Sequence, residues 1–383
     1  MKKIKFLRLA SFIGNIGDNA NHAGSAWLHE QFIPDVTFIE TRSEIREFYW
    51  KKKKCDEAFA EYINTFDMFV IGGGNYLELW PANSETGTSL NFSKKFLDKI
   101  KVPISLYSLG CDDGQGADKN NIEKFKAFID YLLDEKKVYI SMRNDGSSAA
   151  FLKYTGSQYS KHIDVIPDGG FFLGKAEKLN IPFGFDIKPT TVAINLAGDM
   201  LETRFSDGPN VNYNKFLSYF ADVLMDMINR EINVIFIPHI YKDLRIINDL
   251  LCKIEDQYIR THIKVAPYIQ GIAGMRCLFS IYEAVDMVLA MRFHANVCPI
   301  GMNIPTIGLA CYPQIEKLYK EIGLIENMVR VNCDDFRYKL MSLICRVLNN
   351  KDSERERLKL KNEEIYNIAS SAFSRYKNWI NNI

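Results

Sequence analysis

The chain has 383 residues, with 48 Lys and Arg against 47 Asp and Glu, and 47% of its residues are hydrophobic. This length exceeds what a single hydrophobic core usually serves, so the sequence predicts two domains. The nearly cancelling charge excludes the basic surface of a dedicated nucleic-acid binder and favours a small or sugar-like partner.

Neither the N-terminus nor the cysteines indicate export or a metal site. The first residues are basic, but their apolar side chains alternate with Lys and Arg instead of forming the uninterrupted block of a signal peptide. No run approaches the roughly 20 apolar residues that span a bilayer. The eight cysteines show no metal-ligand spacing and are predicted to be reduced thiols. We therefore expect a cytoplasmic protein, at most in peripheral contact with the inner face of the membrane, without a metal or cofactor.

In the first half of the chain, short β-type runs alternate with helical stretches. Residues 43 to 63 and 120 to 136 have helical patterns, and the β-type runs are "IKFLRLAS", "DVTFIET", "DMFVIGGG", "PISLYSLG" and "KVYISMR". This alternation predicts a parallel sheet covered by helices, as in a Rossmann-like domain.

The same pattern starts again after a stretch rich in Pro, Gly and Lys. The later β-type runs are "TVAINLAGD", "NVIFIPHIY", "HIKVAP", "DMVLAMRFH" and "PTIGLACY". We predict an α/β protein with two Rossmann-like lobes, residues 1–185 and residues 186–350, and a C-terminal helical segment, residues 351–383, packed on the body.

Ligands of open α/β sheets bind beyond the carboxyl ends of the strands, so the polar residues at these ends are the candidate site residues. The first strand is followed by "FIGNIGDNANHAG", in which Asn15 can donate hydrogen bonds and Asp18 is a candidate base. Helix capping explains an Asp at this place equally well. Three glycines and an amide follow the third strand, a pattern that allows backbone N–H groups to approach a phosphate or an acceptor: Gly72, Gly73, Gly74 and Asn75.

Three further strand ends carry cationic or titratable side chains. Arg143 comes after the fifth strand and suits a carboxylate or phosphate. His239 comes after "FIPH" in the second half. Arg292 and His294 follow "DMVLAM"; as residues two apart on a continuing strand they would point to one side and deliver a cation and an acid–base group to one pocket.

Seven segments, in order along the chain, resemble the polysaccharide pyruvyl transferase family. They are "GNIGDN", "DMFVIGGG", "YSLG", "SMRNDGS", "IPDGGFFL", "FIPH...D" and "MRFHANVCPIGMNIPTIGL...EKLYKEIGL". The resemblance implies a two-lobed fold like that of the GT-B glycosyltransferases, with the active site in a cleft between an N-terminal acceptor lobe and a C-terminal donor lobe. Members of this family modify cell-surface glycans such as capsule, lipopolysaccharide and exopolysaccharide. They move pyruvate from phosphoenolpyruvate onto two sugar hydroxyls as a ketal.

The resemblance also implies roles for individual residues. His294 would protonate the methylene of phosphoenolpyruvate, while Arg143 and Arg292 would hold its carboxylate and phosphate. Asp18 would act as base towards the glycan acceptor, with a lipid-linked acceptor left open. The chain departs from the family at Gln314, where the family carries a lysine that binds the donor; Lys317 stands one helical turn further on.

A second hypothesis is a glycosyltransferase of the same fold that uses a nucleotide sugar. Arg292 would then bind the diphosphate, and His294 or Asp18 would be the acceptor base. A neutral Gln314 counts against phosphoenolpyruvate as the donor, because Gln does not replace a charge that faces phosphoenolpyruvate. A non-catalytic glycan-binding role is the third interpretation, and the presence of both Arg292 and His294 counts against it.

Overall fold

The computed structural model describes residues 2–179, 186–205 and 211–383, and these fold as two compact units. The first unit contains Met1–Phe12, Ser25–Asp168 and Ile365–Ile383, and the second contains Ile13–Gly24 and Gly169–Glu364. The predicted boundary after residue 185 falls at residues 180–185, outside the described residues, so it stays a prediction.

Seven strands form the sheet of the first unit. They are β1 (Lys2–Ala10), β2 (Val36–Glu44), β3 (Met68–Gly72), β4 (Asn75–Glu78), β5 (Ile104–Asp112), β6 (Val138–Met142) and β7 (Ile163–Val165). Their order is β2-β1-β3-β5-β6-β7, all parallel, and β4 pairs with β5. The five runs predicted from the first half of the sequence are therefore strands of one parallel sheet, as expected.

Six helices connect these strands. They are α1 (Ile16–Phe32), α2 (Arg46–Tyr49), α3 (Glu57–Ile63), α4 (Lys94–Lys99), α5 (Lys119–Glu135) and α6 (Ser147–Thr155). The predicted helix over residues 43 to 63 was wrong. Strand β2 continues to Glu44, and the two short helices α2 and α3 are separated by the lysine-rich turn, where Lys51 has a left-handed φ of 57°. The chain becomes helical again at Asp56, whose side chain accepts a hydrogen bond from the N–H of Phe59.

Six strands form the sheet of the second unit. They are β8 (Thr191–Asn195), β9 (Asn233–Phe236), β10 (Ile263–Val265), β11 (Met287–Ala290), β12 (Thr306–Ala310) and β13 (Met328–Arg330), and all pairings are parallel. Their order is β10-β9-β8-β11-β12-β13, the doubly wound order of a Rossmann domain.

Helices flank this second sheet. They are α7 (Leu173–Ala176), α8 (Leu201–Phe205), α9 (Tyr213–Ile228), α10 (Asp243–Leu251), α11 (Asp256–His262), α12 (Gly271–Glu283), α13 (Phe293–Gly301), α14 (Pro313–Glu321) and α15 (Phe336–Asn349). Alternate residues of β8 belong to two separate cores. Val192 and Ile194 pack in one core, and Ala193 packs in the other. Both faces of the sheet are therefore covered.

The last helix, α16 (Lys351–Asn381), ends in the core of the first unit. The rings of Phe373 and Tyr376 lie 5.3 and 5.6 Å from the ring of His29, and Tyr376 lies 4.7 Å from Tyr139. The expected packing of the C-terminal helix on the body is confirmed.

Two further predictions concern the cysteines and membrane-spanning helices. All eight cysteines are free thiols; Cys111, Cys298 and Cys311 are buried, whereas Cys252 is exposed. Within the described part of the chain, no helix combines the length and the apolar character that crossing a membrane requires.

Candidate functional site

The candidate site of the second unit lies at the carboxyl edge of its sheet, where β8 and β11 are neighbours. The chain leaves β8 towards β9 on one side and leaves β11 towards β12 on the other. Because the connections diverge at this switch point, the loops beyond the two strands leave room for a ligand. Arg292 follows β11 directly, and Asp199 lies in the loop after β8.

Arg292 and His294 do not continue the strand, so the argument that placed both on one side of a strand was wrong. Strand β11 ends at Ala290, and Arg292 is the extended N-cap residue of α13, with φ −83° and ψ 149°. His294 therefore lies in the first turn of α13. The change from strand to helix, and not strand alternation, brings the two side chains to the same edge of the sheet.

Two buried asparagines fix the backbone of Arg292. The side-chain oxygen of Asn195 accepts a hydrogen bond from the N–H of Arg292 at 3.1 Å, and its amide donates to Ile237 O at 2.9 Å. The amide of Asn296 donates to Arg292 O at 2.8 Å. The backbone of Arg292 is therefore held on both sides at the start of α13.

Two carboxylates hold the guanidinium of Arg292. Its Nε donates to Asp243 Oδ2 at 2.8 Å, and its Nη2 donates to Asp243 Oδ1 at 2.5 Å and to Asp199 Oδ1 at 2.9 Å. Burial alone would lower the pKa of Arg292, but Asp243 and then Asp199 raise it above its ordinary value. Arg292 is therefore a permanent cation whose charge is already matched in the absence of a ligand.

The pair formed by His294 and Asp18 lies at the start of two helices of the same unit. His294 Nδ1 is 4.0 Å from Asp18 Oδ1. Asn15 precedes α1: its side-chain oxygen accepts from the N–H of Gly17 at 3.0 Å, and its amide donates to Asp18 Oδ1 at 3.2 Å. Asn15 therefore caps the helix, which leaves Asp18 oriented beside the imidazole.

His239 lies deeper in the same unit. Its ring is fully buried, its Nε2 is 2.9 Å from the hydroxyl of Tyr282, and its backbone N–H donates to Asp243 at 2.9 Å. Burial, together with the charges of Arg292 and His294, holds the pKa of His239 well below its ordinary value. His239 is thus a neutral imidazole behind the site, and donor binding by it stays a prediction.

Helix α14 carries the two remaining donor candidates. It begins at Pro313 directly after Tyr312, so Gln314 lies in its first turn and Lys317 one turn further on. Both side chains are half-buried. Their part in donor binding stays a prediction.

Arg143 belongs to the first unit and follows β6. Its guanidinium is buried, with Nη2 2.6 Å from Asp145 and Nη1 3.5 Å from Asp168. Burial alone would lower its pKa, but Asp145 and Asp168 raise it above the ordinary value. Like Arg292, Arg143 is a buried cation with two carboxylate partners.

The glycine-rich loop of the first unit packs tightly against β5. Gly72 and Gly73 have φ of 138° and 63°, and a side chain at Gly72 would collide with the carbonyl oxygen of Tyr107. Gly73 N–H donates to that same oxygen at 3.0 Å, and Gly74 O accepts from Gly110 N–H at 2.9 Å. Close approach of β3 and β5 thus accounts for the glycines structurally.

Asn75 ends this loop beside Arg143. Its amide donates to Asp112 Oδ2 at 3.0 Å, and Gly110 packs against both Asn75 and Arg143. The structure therefore groups Asn75 with Arg143 in the first unit, and Asn15, Asp18, His239, Arg292 and His294 in the second. A role for the glycine loop and Asn75 in binding phosphate or acceptor stays a prediction.

Sequence reasoning missed the carboxylates that hold the two arginines. Asp243 is fully buried and, besides Arg292, accepts hydrogen bonds from the backbone N–H groups of Gly198, His239 and Ile240. In the sequence, Asp243 is the aspartate that ends the segment "FIPH...D". Among residues 2–179, 186–205 and 211–383, no group of three or more His, Cys, Asp or Glu is arranged to hold a metal ion.

Several solved structures share the fold of the whole chain at low sequence identity. UDP-GlcNAc 2-epimerase from Neisseria meningitidis, bound to UDP-GlcNAc, has a TM-score of 0.56 at 10% identity, covering 99% of this chain and 100% of its own. A glycosyltransferase from Rickettsia africae has a TM-score of 0.55 at 11% identity, covering 99% and 98%. A putative UDP-N-acetylglucosamine 2-epimerase from Listeria monocytogenes has a TM-score of 0.55 at 10% identity, covering 94% and 91%. These similarities show a GT-B fold.

The sequence itself gives a more specific result. No curated protein sequence matches the chain significantly. The sequence profile of the polysaccharide pyruvyl transferases, however, matches residues 15–312, which include Asp18, Arg143, Arg292 and His294. The protein is a transferase, and the chain belongs to the polysaccharide pyruvyl transferase family.

Proposed function

We propose that this protein transfers pyruvate from phosphoenolpyruvate to two hydroxyls of a sugar in a cell-surface polysaccharide, forming a ketal and releasing phosphate. The observation that carries the proposal is the arrangement at the switch point of the second unit. A fixed guanidinium, Arg292, stands two residues from an imidazole, His294, whose Nδ1 is 4.0 Å from the Asp18 carboxylate. Phosphoenolpyruvate needs both a cation for its charges and a proton donor for its methylene carbon.

The proposed reaction begins with a proton from His294. The imidazolium donates it to the methylene carbon, whose π electrons form the new C–H bond and leave an oxocarbenium-like centre at C2. The Asp18 carboxylate lies beside this imidazole, with 4.0 Å between Asp18 Oδ1 and His294 Nδ1. Arg292 is the candidate ligand in the second unit for an anionic group of the donor.

Two additions at C2 complete the reaction. The first sugar hydroxyl attacks C2 and gives up its proton, for which Asp18 is the candidate base. The bond between C2 and the phosphate oxygen then breaks, and the phosphate leaves with the electron pair. The second hydroxyl closes the ketal. The two sugar hydroxyls release two protons. One of them replaces the proton that His294 gave to the methyl group, and the other leaves with the phosphate.

Product analysis tests this proposal. The protein is incubated with phosphoenolpyruvate and aryl glycosides that offer pairs of free hydroxyls. We expect inorganic phosphate together with a product heavier than the glycoside by pyruvate less one water. His294→Ala, with a far-ultraviolet circular dichroism spectrum like that of the parent, should lower the rate by about a hundredfold or more. Equal rates in both proteins would remove His294 from the mechanism.

A glycosyltransferase with a nucleotide-sugar donor is the second candidate. It is favoured by Tyr241, which is 62% exposed and whose ring suits stacking on a base. The structural neighbour from Neisseria meningitidis binds UDP-GlcNAc. Transfer of a sugar from such a donor, without phosphate release from phosphoenolpyruvate, would establish this alternative.

A further inference from the structure

Arg204 is a second guanidinium beside Arg292, on the short helix α8. Its Nη2 is 3.3 Å from Asp199 Oδ1, and its Nε donates to the backbone oxygen of Asp199 at 3.0 Å. Asp199 Oδ1 also lies 2.9 Å from Arg292 Nη2. One carboxylate oxygen thus bridges two arginines that come from different loops.

Arg204 also reaches the segment between β12 and α14. Its Nη1 is 3.6 Å from Cys311 Sγ, and its Cζ lies 6.0 Å from the centroid of the Tyr312 ring. Cys311 and Tyr312 directly precede α14, which carries Gln314 in its first turn. Arg204 therefore brings a positive charge to the segment that directly precedes α14.

The two carboxylates of this group differ in how firmly they are held. Asp243 is fully buried and takes three backbone N–H bonds besides its bonds to Arg292. The Asp199 side chain is 24% exposed, whereas those of Arg204 and Arg292 are each 11% exposed. Asp199 is thus the anion that solvent, or a ligand entering from solvent, reaches first.

Charge balance shows what a ligand must do here. Two guanidinium groups and two carboxylates sum to zero, so a dianion that entered without displacing a carboxylate would meet cations whose charge is already matched. Burial works to raise the pKa of Asp199, but Arg292 and then Arg204 hold it below its ordinary value. Asp199 is therefore ionised near neutral pH and competes for the same two cations that a phosphate group would need.

We propose that Arg204 and Arg292 together form the phosphate subsite of the donor, and that Asp199 occupies this subsite until a phosphate displaces it. The inference rests on the proposed function in assuming a donor that carries phosphate. A phosphate dianion offers oxygens to both guanidinium groups at once, which a single carboxylate oxygen does only weakly.

The test compares two variants whose effects should have opposite signs. The dissociation constants of phosphoenolpyruvate and inorganic phosphate are measured by calorimetry. Arg204→Gln should weaken phosphoenolpyruvate binding by about tenfold or more, because one charge-assisted contact is lost. Asp199→Asn should tighten binding several-fold, because the competing anion is gone. Arg230→Gln, an exposed arginine of the same unit, is the matched control and should leave both constants unchanged.

A purely structural role for the Arg204–Asp199 pair would give a different result. Both variants would then shift phosphate binding in the same direction or leave it unchanged, and either outcome overturns the proposal. Arg204→Lys should restore part of the affinity, because it restores the charge without the planar fork.

The same variants separate this inference from the proposed function. If the parent protein binds a nucleotide sugar and not phosphoenolpyruvate, pyruvyl transfer is refuted, and the two opposite shifts are then sought with that nucleotide sugar. Opposite shifts of the two variants in nucleotide-sugar binding would support the phosphate subsite. A parent protein that binds none of the phosphate ligands would overturn it.

Discussion

Gly17 shows how closely the site around His294 is packed. A Cβ added at Gly17 would lie 2.5 Å from His294 Cβ and 2.6 Å from His294 Nδ1, far inside the normal contact distance. Because the crowded atoms include the carbon attached to the backbone, rotating the imidazole does not relieve the clash. The absence of a side chain at residue 17 therefore lets α1 lie against α13 with Asp18 beside the imidazole.

The first prediction concerns Gly17→Ala. Alanine is a better helix former than glycine by about 1 kcal/mol, so propensity alone would stabilise α1. We expect the opposite: a lower melting temperature and a large loss of turnover, because His294 is pushed away from Asp18. Gly174→Ala is the control, since its new Cβ would meet only the flexible side chain of Met302. A variant as stable and active as the parent would show that this packing is wrong.

The second prediction concerns Glu78 in the first unit. Burial, reinforced by Asp112 and opposed by a hydrogen bond from Ser89, raises the pKa of Glu78 from 4.5 to about 7. The folded state therefore keeps a proton that the unfolded state loses above pH 4.5. This contribution to stability is complete below pH 4.5 and is lost as the pH rises through about 7.

Chemical denaturation between pH 4.5 and pH 7 tests the Glu78 prediction. Relative to Glu78→Gln, the parent protein should lose stability across this window, by on the order of 3 kcal/mol at most. The exposed Glu85, changed to Gln, should leave the pH dependence of the parent unaltered. Parallel curves for the parent and Glu78→Gln would contradict the raised pKa.

At the scale of elements, Asp243 links the loops that follow three strands of the second sheet. It bonds Gly198 after β8, His239 and Ile240 after β9, and Arg292 after β11. A single buried carboxylate thus fixes the backbone on both sides of the switch point. The same hydrogen bonds orient Arg292, so the structure of the loops and the geometry of the site depend on one residue.

The third prediction follows from this link. Asp243→Ala leaves Arg292 buried with one carboxylate fewer and three N–H groups without their acceptor, so we expect a loss of about 3 to 5 kcal/mol in the free energy of unfolding. Denaturant titration measures it. Asp256→Ala removes an aspartate that is 74% exposed and should cost little. Similar losses in the two variants would contradict the linking role.

The sequence predicted elements better than it predicted where they end. Hydrophobic patterning identified ten of the thirteen strands in the described residues, because each of these ten is an apolar run closed by Gly, Pro or polar residues, and it missed the short strands β4, β7 and β13. It failed at Arg292, because the residues that follow an apolar run do not show whether the strand continues or a helix begins. It also failed to pair Arg292 with Asp199 and Asp243, because contacts between residues 49 and 93 positions apart leave no local pattern.

At the scale of the whole molecule, the two units differ in which segments of the sequence they contain. The first unit is completed by the last residues, where Tyr376 is fully buried among aromatic rings, with its ring 5.8 Å from that of Tyr107 and 4.7 Å from that of Tyr139. Its core therefore joins the two ends of the sequence. The second unit takes residues 13–24 from near the N-terminus, and these residues carry Asp18 to His294.

The fourth prediction uses Tyr376→Ala. Removing this ring should destabilise the first unit by about 3 to 5 kcal/mol, as large aromatic truncations do. Hydrogen exchange followed by mass spectrometry should show faster exchange in β1, β5 and β6, and little change in β8, β9 and β11. Leu360→Ala, at a side chain that is 62% exposed on the same helix, serves as the control. Equal acceleration in both units would contradict the assignment of the helix end to the first unit.

The central claim is that the donor is phosphoenolpyruvate. The most direct test is the thermal stability of the parent protein with phosphoenolpyruvate and, separately, with a series of nucleotides and nucleotide sugars. A ligand of the folded state at a hundredfold excess over its dissociation constant stabilises by about 2.7 kcal/mol. We predict stabilisation by phosphoenolpyruvate that is strongly reduced in Arg292→Gln, and none by the nucleotides. Stabilisation by one nucleotide sugar and not by phosphoenolpyruvate would contradict pyruvyl transfer.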